Sequence, residues 1–126
     1  MFVNPLMREL ARHLVGVERV GGRIVGRFRL PAAFTGFQGH FPGRPVLPGV
    51  CEIMAVVATW QKWTGRVTTI HEVVSAKFLA SVLPDQEMAV RCLEPADDAT
   101  SQVLRAVIEC DGKRVATIVL RVGLGQ

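Results

Sequence analysis

Two stretches of this chain alternate apolar and polar positions, two follow a helical period, and four more read as strands. Residues 14–20 and 23–30 alternate and are rich in β-branched side chains, which predicts two strands, with Gly21-Gly22 between them as a two-residue hairpin turn. Residues 5–13 place Leu6 and Leu10 on one side of a short helix, with Leu14 continuing the line. Residues 31–49 carry no period. Residues 50–64 form a helix that is apolar around most of its circumference and is closed by Gly65. A helix with so little polar surface has to be wrapped on several sides. Strands follow at 67–79, 87–93, 102–110 and 114–122, with turns at Pro84-Asp85 and Asp111-Gly112. Two strands, one buried helix and four more strands predict an α+β fold, an antiparallel sheet wrapped around one central helix, within a single domain over residues 1–126.

Composition narrows the classes. With 49% hydrophobic residues and a mean hydropathy of +0.30, the chain predicts a packed core and apolar surface buried between subunits. The longest apolar stretch, residues 53–58, is too short to span a bilayer, and the N-terminal segment MFVNPLMRELARHL, charged and without an apolar run, is not expected to be a secretion signal. Three cysteines at uneven spacing fit neither a disulfide framework nor a zinc site, so a reduced cytoplasmic setting is expected. The net charge of +4 is spread along the chain without a basic run interleaved with aromatics, which argues against nucleic acid. It favours ordinary solubility or attraction to an acidic partner.

The chemistry concentrates in the irregular segment. In Gly39-His40-Phe41-Pro42-Gly43-Arg44-Pro45-Val46-Leu47-Pro48-Gly49, one histidine lies in a loop stiffened by prolines that runs straight into the apolar helix. Pro48 suits the helix start, and Gly49 permits close approach to the backbone. The free N–H groups of that helix end would face whatever His40 works on. A general base beside an oxyanion site is what removal of a proton next to a thioester carbonyl requires. A proline-rich connector with an incidental histidine would read the same way.

The string GHFPGRPVLPGV resembles the active-site loop of the 3-hydroxyacyl-ACP dehydratases of the FabZ/FabA type, which have the hotdog fold. FQGHFPG is similar to the lead-in of that family, and SAKFLASVLPDQEMAV to its strand–turn–strand, usually written A-[RK]-F…P-G-D. The resemblance implies that His40 is the catalytic base and that the backbone N–H of Gly49 holds the thioester oxygen. Phe41, Pro48, Val50 and Met54 are then expected to contact substrate, and Arg44 and Lys77 to meet an acyl carrier. It implies an acyl carrier protein or coenzyme A thioester as substrate, no cofactor or metal, and a homodimer or higher oligomer in fatty acid or polyketide biosynthesis.

One departure stands against this agreement. The family carries Glu or Asp on the central helix fourteen residues after the histidine, and here that position is Met54. Met54 is expected to fill the space of the lost carboxylate. Glu52 lies two residues earlier, roughly 200° away around the helix. It aligns with Thr59 and Lys62, which predicts a carboxylate on the wet edge, with the role of acid as the sharper alternative. Glu72, next to His71, is expected on the surface or the pocket rim and is a second candidate acid. Cys51 is a small buried hydrophobe or a reactive thiolate. Trp60 and Trp63 are packing residues or part of a subunit contact. Three functions follow: a dehydratase with an unorthodox or relayed acid, an accessory subunit whose paralogue supplies the carboxylate, and a non-catalytic acyl-thioester binder. A thioesterase is a weaker fourth, since hydrolysis asks for a carboxylate near the carbonyl.

Overall fold

The computed structural model describes residues 4–38, 43, 45–95 and 99–125. Asn4 opens α1 (Pro5–Ala11), its Oδ1 accepting the Met7 N–H at 2.7 Å, with Pro5 at the first helical position. The helix stops two residues short of the predicted end and buries Met7 and Leu10, while Leu14 opens the first strand instead. β1 (Leu14–Val20) and β2 (Arg23–Arg29) form the hairpin, with Gly21 at φ 62°. A short 3₁₀ turn (Thr35–Phe37) lies in the segment without a period. α2 (Gly49–Thr64) ends on Gly65 at φ 71°, whose N–H reaches the Gln61 carbonyl at 2.9 Å.

β3 (Thr68–Phe78), β4 (Glu87–Leu93), β5 (Ser101–Cys110) and β6 (Lys113–Leu124) complete one antiparallel sheet in the order β1-β2-β4-β5-β6-β3. The β5–β6 turn has positive φ at both Asp111 and Gly112 (52° and 76°), as a tight two-residue hairpin turn needs. Inward residues alternate along β5, where Gln102, Leu104, Ala106, Ile108 and Cys110 are buried, and β6 answers with Ala116, Ile118, Leu120 and Val122.

α2 lies against this sheet, and the closest approach is at β2. A methyl group on Gly26 would come within 2.3 Å of the Thr59 hydroxyl. Glycine there brings strand and helix together. Thr59 tolerates full burial because its hydroxyl donates to the Ala55 carbonyl at 2.9 Å within the helix. Trp60 is also buried, its indole N–H donating to Gln102 Oε1 at 3.0 Å, so this ring packs inside the chain and is no subunit contact. Trp63, half-buried, lies under the Arg19 guanidinium 5.1 Å away. β1 and β3 are the two sheet edges. β3 presents exposed apolar side chains at Ile70, Val73, Val74 and Phe78, followed by Leu79. No described helix is long and apolar enough to cross a membrane.

Candidate active site

Two cavities flank the exposed side of α2. One, of ≈ 470 Å³, runs along Val50, Ile53, Met54, Val57 and Gln61, residues spaced to share a helix face, and is closed by Met7 and by Val67 to Ile70. The other, of ≈ 590 Å³, lies between α1, the 3₁₀ turn and the start of α2, with Glu9, Thr35, Gln38, Pro48 and Cys51 in its wall. Asn4, Val50 and Met54 line both. Met54 therefore stands where the two spaces adjoin, and among the described residues of their walls Glu9 is the one charged side chain.

The helix start is built as an electropositive end. Pro48 is its N-cap and offers no capping side chain, so the N–H groups of Gly49 and Val50 have no partner among the described residues. What lies closest over Gly49 is the ring of Phe78: a methyl at Gly49 would meet its Cζ at 2.7 Å. Phe78 belongs to the SAKF segment of β3, so two sequence motifs far apart in the chain meet at this glycine. His40, Phe41 and Arg44 lie outside the described residues. Lys77 is exposed on β3.

The two candidate acids do not join Met54. Glu52 is buried, 2% exposed, and not on a wet edge; its Oε1 has no hydrogen-bond partner among the described residues. The polar line Glu52–Thr59–Lys62 misled because the curled sheet covers that side of α2 as far as Trp60, and only Lys62 emerges. Burial pushes the Glu52 carboxyl up to about 7. Burial raises the Cys51 and Cys110 thiols to about 11, with the nearby Glu52 charge contributing less at both and Asp111 also at Cys110. Cys51 is accordingly a buried thiol, not a thiolate. Glu72 is exposed in the middle of β3 and paired with Arg121 of β6, away from both cavities.

The carboxylate that does line a cavity with Met54 was not singled out from the sequence. Glu9 accepts the Thr35 N–H at 3.1 Å, and hydrogen bonds from Thr35 hold its carboxyl below the usual range. It is therefore ionised near neutrality and is a poor proton donor. Gln61 and Asn4 were missed as well, because isolated amides in helical or capping positions carry no pattern of their own.

Residues 17–117 match the model of the family described as ApeI dehydratase. The chain belongs to the ApeI-like dehydratase family. It is 38% identical over 89 residues to the 3-hydroxyacyl-[acyl-carrier-protein] dehydratase FabZ of Latilactobacillus sakei, covering 64% of this chain and 63% of that protein. Against the FabZ of Enterococcus faecalis it is 29% identical over 121 residues, 89% of this chain and 86% of the relative. The matches to the FabZ proteins of L. sakei and Granulibacter bethesdensis thus span less than two thirds of those relatives (63% and 62%). Among solved structures, the dehydratase heterocomplex ApeI:P from Xenorhabdus doucetiae superposes with a TM-score of 0.73 at 19% identity, over 87% of this chain and 96% of that one. A hypothetical thioesterase with coenzyme A from Streptococcus pneumoniae gives 0.65 at 13% identity, over 96% and 95%. These likenesses establish the hotdog fold, the sheet wrapped on a central helix.

Proposed function

We propose that this chain is a subunit of a 3-hydroxyacyl-thioester dehydratase working on acyl carrier protein or coenzyme A thioesters. Its membership of a dehydratase family, together with a helix start that has no capping side chain and whose Val50 lines an apolar groove, carries this reading. The thioester carbonyl oxygen accepts from the Gly49 N–H, and the acyl chain lies along Val50, Met54 and Val57. With the carbonyl polarised, His40 takes a proton from C2; the electron pair forms the C2–C3 double bond, and the C3 hydroxyl leaves as water once it receives a proton. Met54 has none to give. Glu52 faces the core, and Glu72 is held by Arg121. The proton then comes from the His40 imidazolium itself or from a group on a partner.

The partner is a second hotdog chain on the edge strand β3, whose first residues, Thr68 to Ile70, form one wall of the groove. A homodimer satisfies this geometry. A heteromeric pair, in which the paralogue supplies the acid, is favoured by the absence of a proton-donating carboxyl beside Met54 among the described residues, Glu9 being ionised, and by the Xenorhabdus structure, a dehydratase heterocomplex. Hydration of a trans-2-enoyl thioester by the purified chain tests the reading. His40→Ala is expected to lower turnover by roughly 10²–10⁴-fold with the melting temperature unchanged. Full activity in the variant removes His40 from the mechanism. Thioester binding without turnover, in wild type and variant alike, makes the chain a binder or an accessory subunit.

A further inference from the structure

The groove along α2 is apolar and carries no charged side chain among the described residues, yet two primary amides open onto it, Asn4 and Gln61. Backbone N–H groups dictate how each is turned. Gln61 Oε1 accepts the Thr68 N–H at 3.0 Å, and Asn4 Oδ1 accepts the Met7 N–H at 2.7 Å. A backbone N–H can be met only by an acceptor, so the amide oxygen has to face the chain and the NH₂ group the other way. For Gln61 the other way is the groove, and its Nε2 has no acceptor among the described residues. The backbone at Gln61 is held as well, because its main-chain carbonyl accepts the Gly65 N–H that closes α2. Thr68, its neighbour in the wall, has its hydroxyl turned to the Arg66 carbonyl at 3.4 Å. The far end of the groove thus offers fixed hydrogen-bond donors within apolar walls and nothing to match a charge.

Gln61 lies twelve residues beyond Gly49, about 18 Å along the helix axis. We infer that this chain selects acyl groups bearing an uncharged acceptor oxygen, a carbonyl or an ether, near the distal end of the chain, and that Gln61 is the residue that reads it. The inference rests on the thioester reading above and adds the substrate class to it. A plain alkyl chain fills the apolar walls but leaves the amide donors facing carbon.

The test is a pair of saturated acyl-coenzyme A thioesters of equal length, one plain and one with a keto group placed at the depth of Gln61, titrated calorimetrically into the purified chain. Saturated chains are not turned over, so binding is read whether or not the chain is active by itself. The wild type is expected to bind the keto chain about 3- to 10-fold more tightly. Gln61→Glu keeps an acceptor for the Thr68 N–H while replacing the donors with a carboxylate, and is expected to abolish or reverse that preference at an unchanged melting temperature. Gln61→Met removes the donors without adding charge and is expected to equalise the two. Equal affinity in the wild type overturns the inference and leaves the thioester reading standing. Failure of the wild type to bind either chain overturns both. A preference that survives Gln61→Glu takes the selection away from Gln61.

Discussion

At the residue scale, Glu52 is the unusual group: a carboxyl inside the core, with its Oε1 unpartnered and the Cys51 and Cys110 thiols for neighbours. Its proton is held more tightly in the folded chain, at about 7, than the ordinary value of 4.5 that the unfolded chain shows. The stability of the neutral form is therefore fully present below pH 4.5, declines as pH rises, and is gone above about 7. Urea unfolding at pH 5 and pH 8 is expected to show the protein weaker at the higher pH. Glu52→Gln is expected to remove that slope and to gain up to about 3 kcal/mol at pH 8, with no gain at pH 4. A flat wild-type profile would mean that the carboxyl finds a partner in solution. Met54 is the complementary test, because it borders both cavities and a carboxylate there has open space beside it. Met54→Glu is expected to raise dehydration of a 3-hydroxyacyl thioester by up to roughly 10²–10⁴-fold, at some loss of stability from partial burial of charge. A folded variant with unchanged turnover, beside a brisk wild type, would place the proton source on His40 or a partner.

At the scale of elements, the contact between β2 and α2 rests on Gly26 and Thr59. Gly26→Ala pushes a methyl into the Thr59 hydroxyl and is expected to cost about 1–3 kcal/mol in thermal unfolding. Adding Thr59→Ala should return part of that loss, so the two changes are expected to be non-additive. Gly26 could be read in the sequence as a glycine inside a strand, but its reason could not, since Thr59 is thirty-three residues away. The elements themselves were far more legible: the predicted strands became β1 to β6 with ends displaced by a residue or two, and the predicted central helix starts one residue earlier, at Gly49. What the helical period did not yield was which side of α2 would be covered. An amphipathic pattern separates polar from apolar residues, but a curled sheet can bury a polar position whose hydrogen bonds are met locally, as at Thr59, or left unmet, as at Glu52.

At the scale of the whole molecule, β3 is an edge strand among the described residues, with Val73 and Val74 exposed on it and Leu79 exposed just after it, a surface that fits the proposed second chain. Sedimentation is expected to give a dimer, and Val74→Lys, which puts a charge on that edge, to shift it toward monomer and to weaken thioester turnover with it. A stable wild-type monomer would remove the partner from the site. If the working assembly is heteromeric, the isolated chain should dehydrate slowly, and adding a paralogue with a carboxylate on its central helix should restore turnover that His40→Ala then abolishes.

The order of the elements and the central helix were determined by the sequence alone, because each rests on local period and on proline and glycine chemistry, and the ungapped motif put Met54 at the position of the family's acid. Tertiary structure decided the rest. It turned Glu52 into the core, set the Phe78 ring against Gly49, placed Glu9 beside Met54 and pointed the Gln61 amide into the groove. Each of these depends on which distant strand or helix packs on a given face, and that is fixed only when the whole sheet closes around α2.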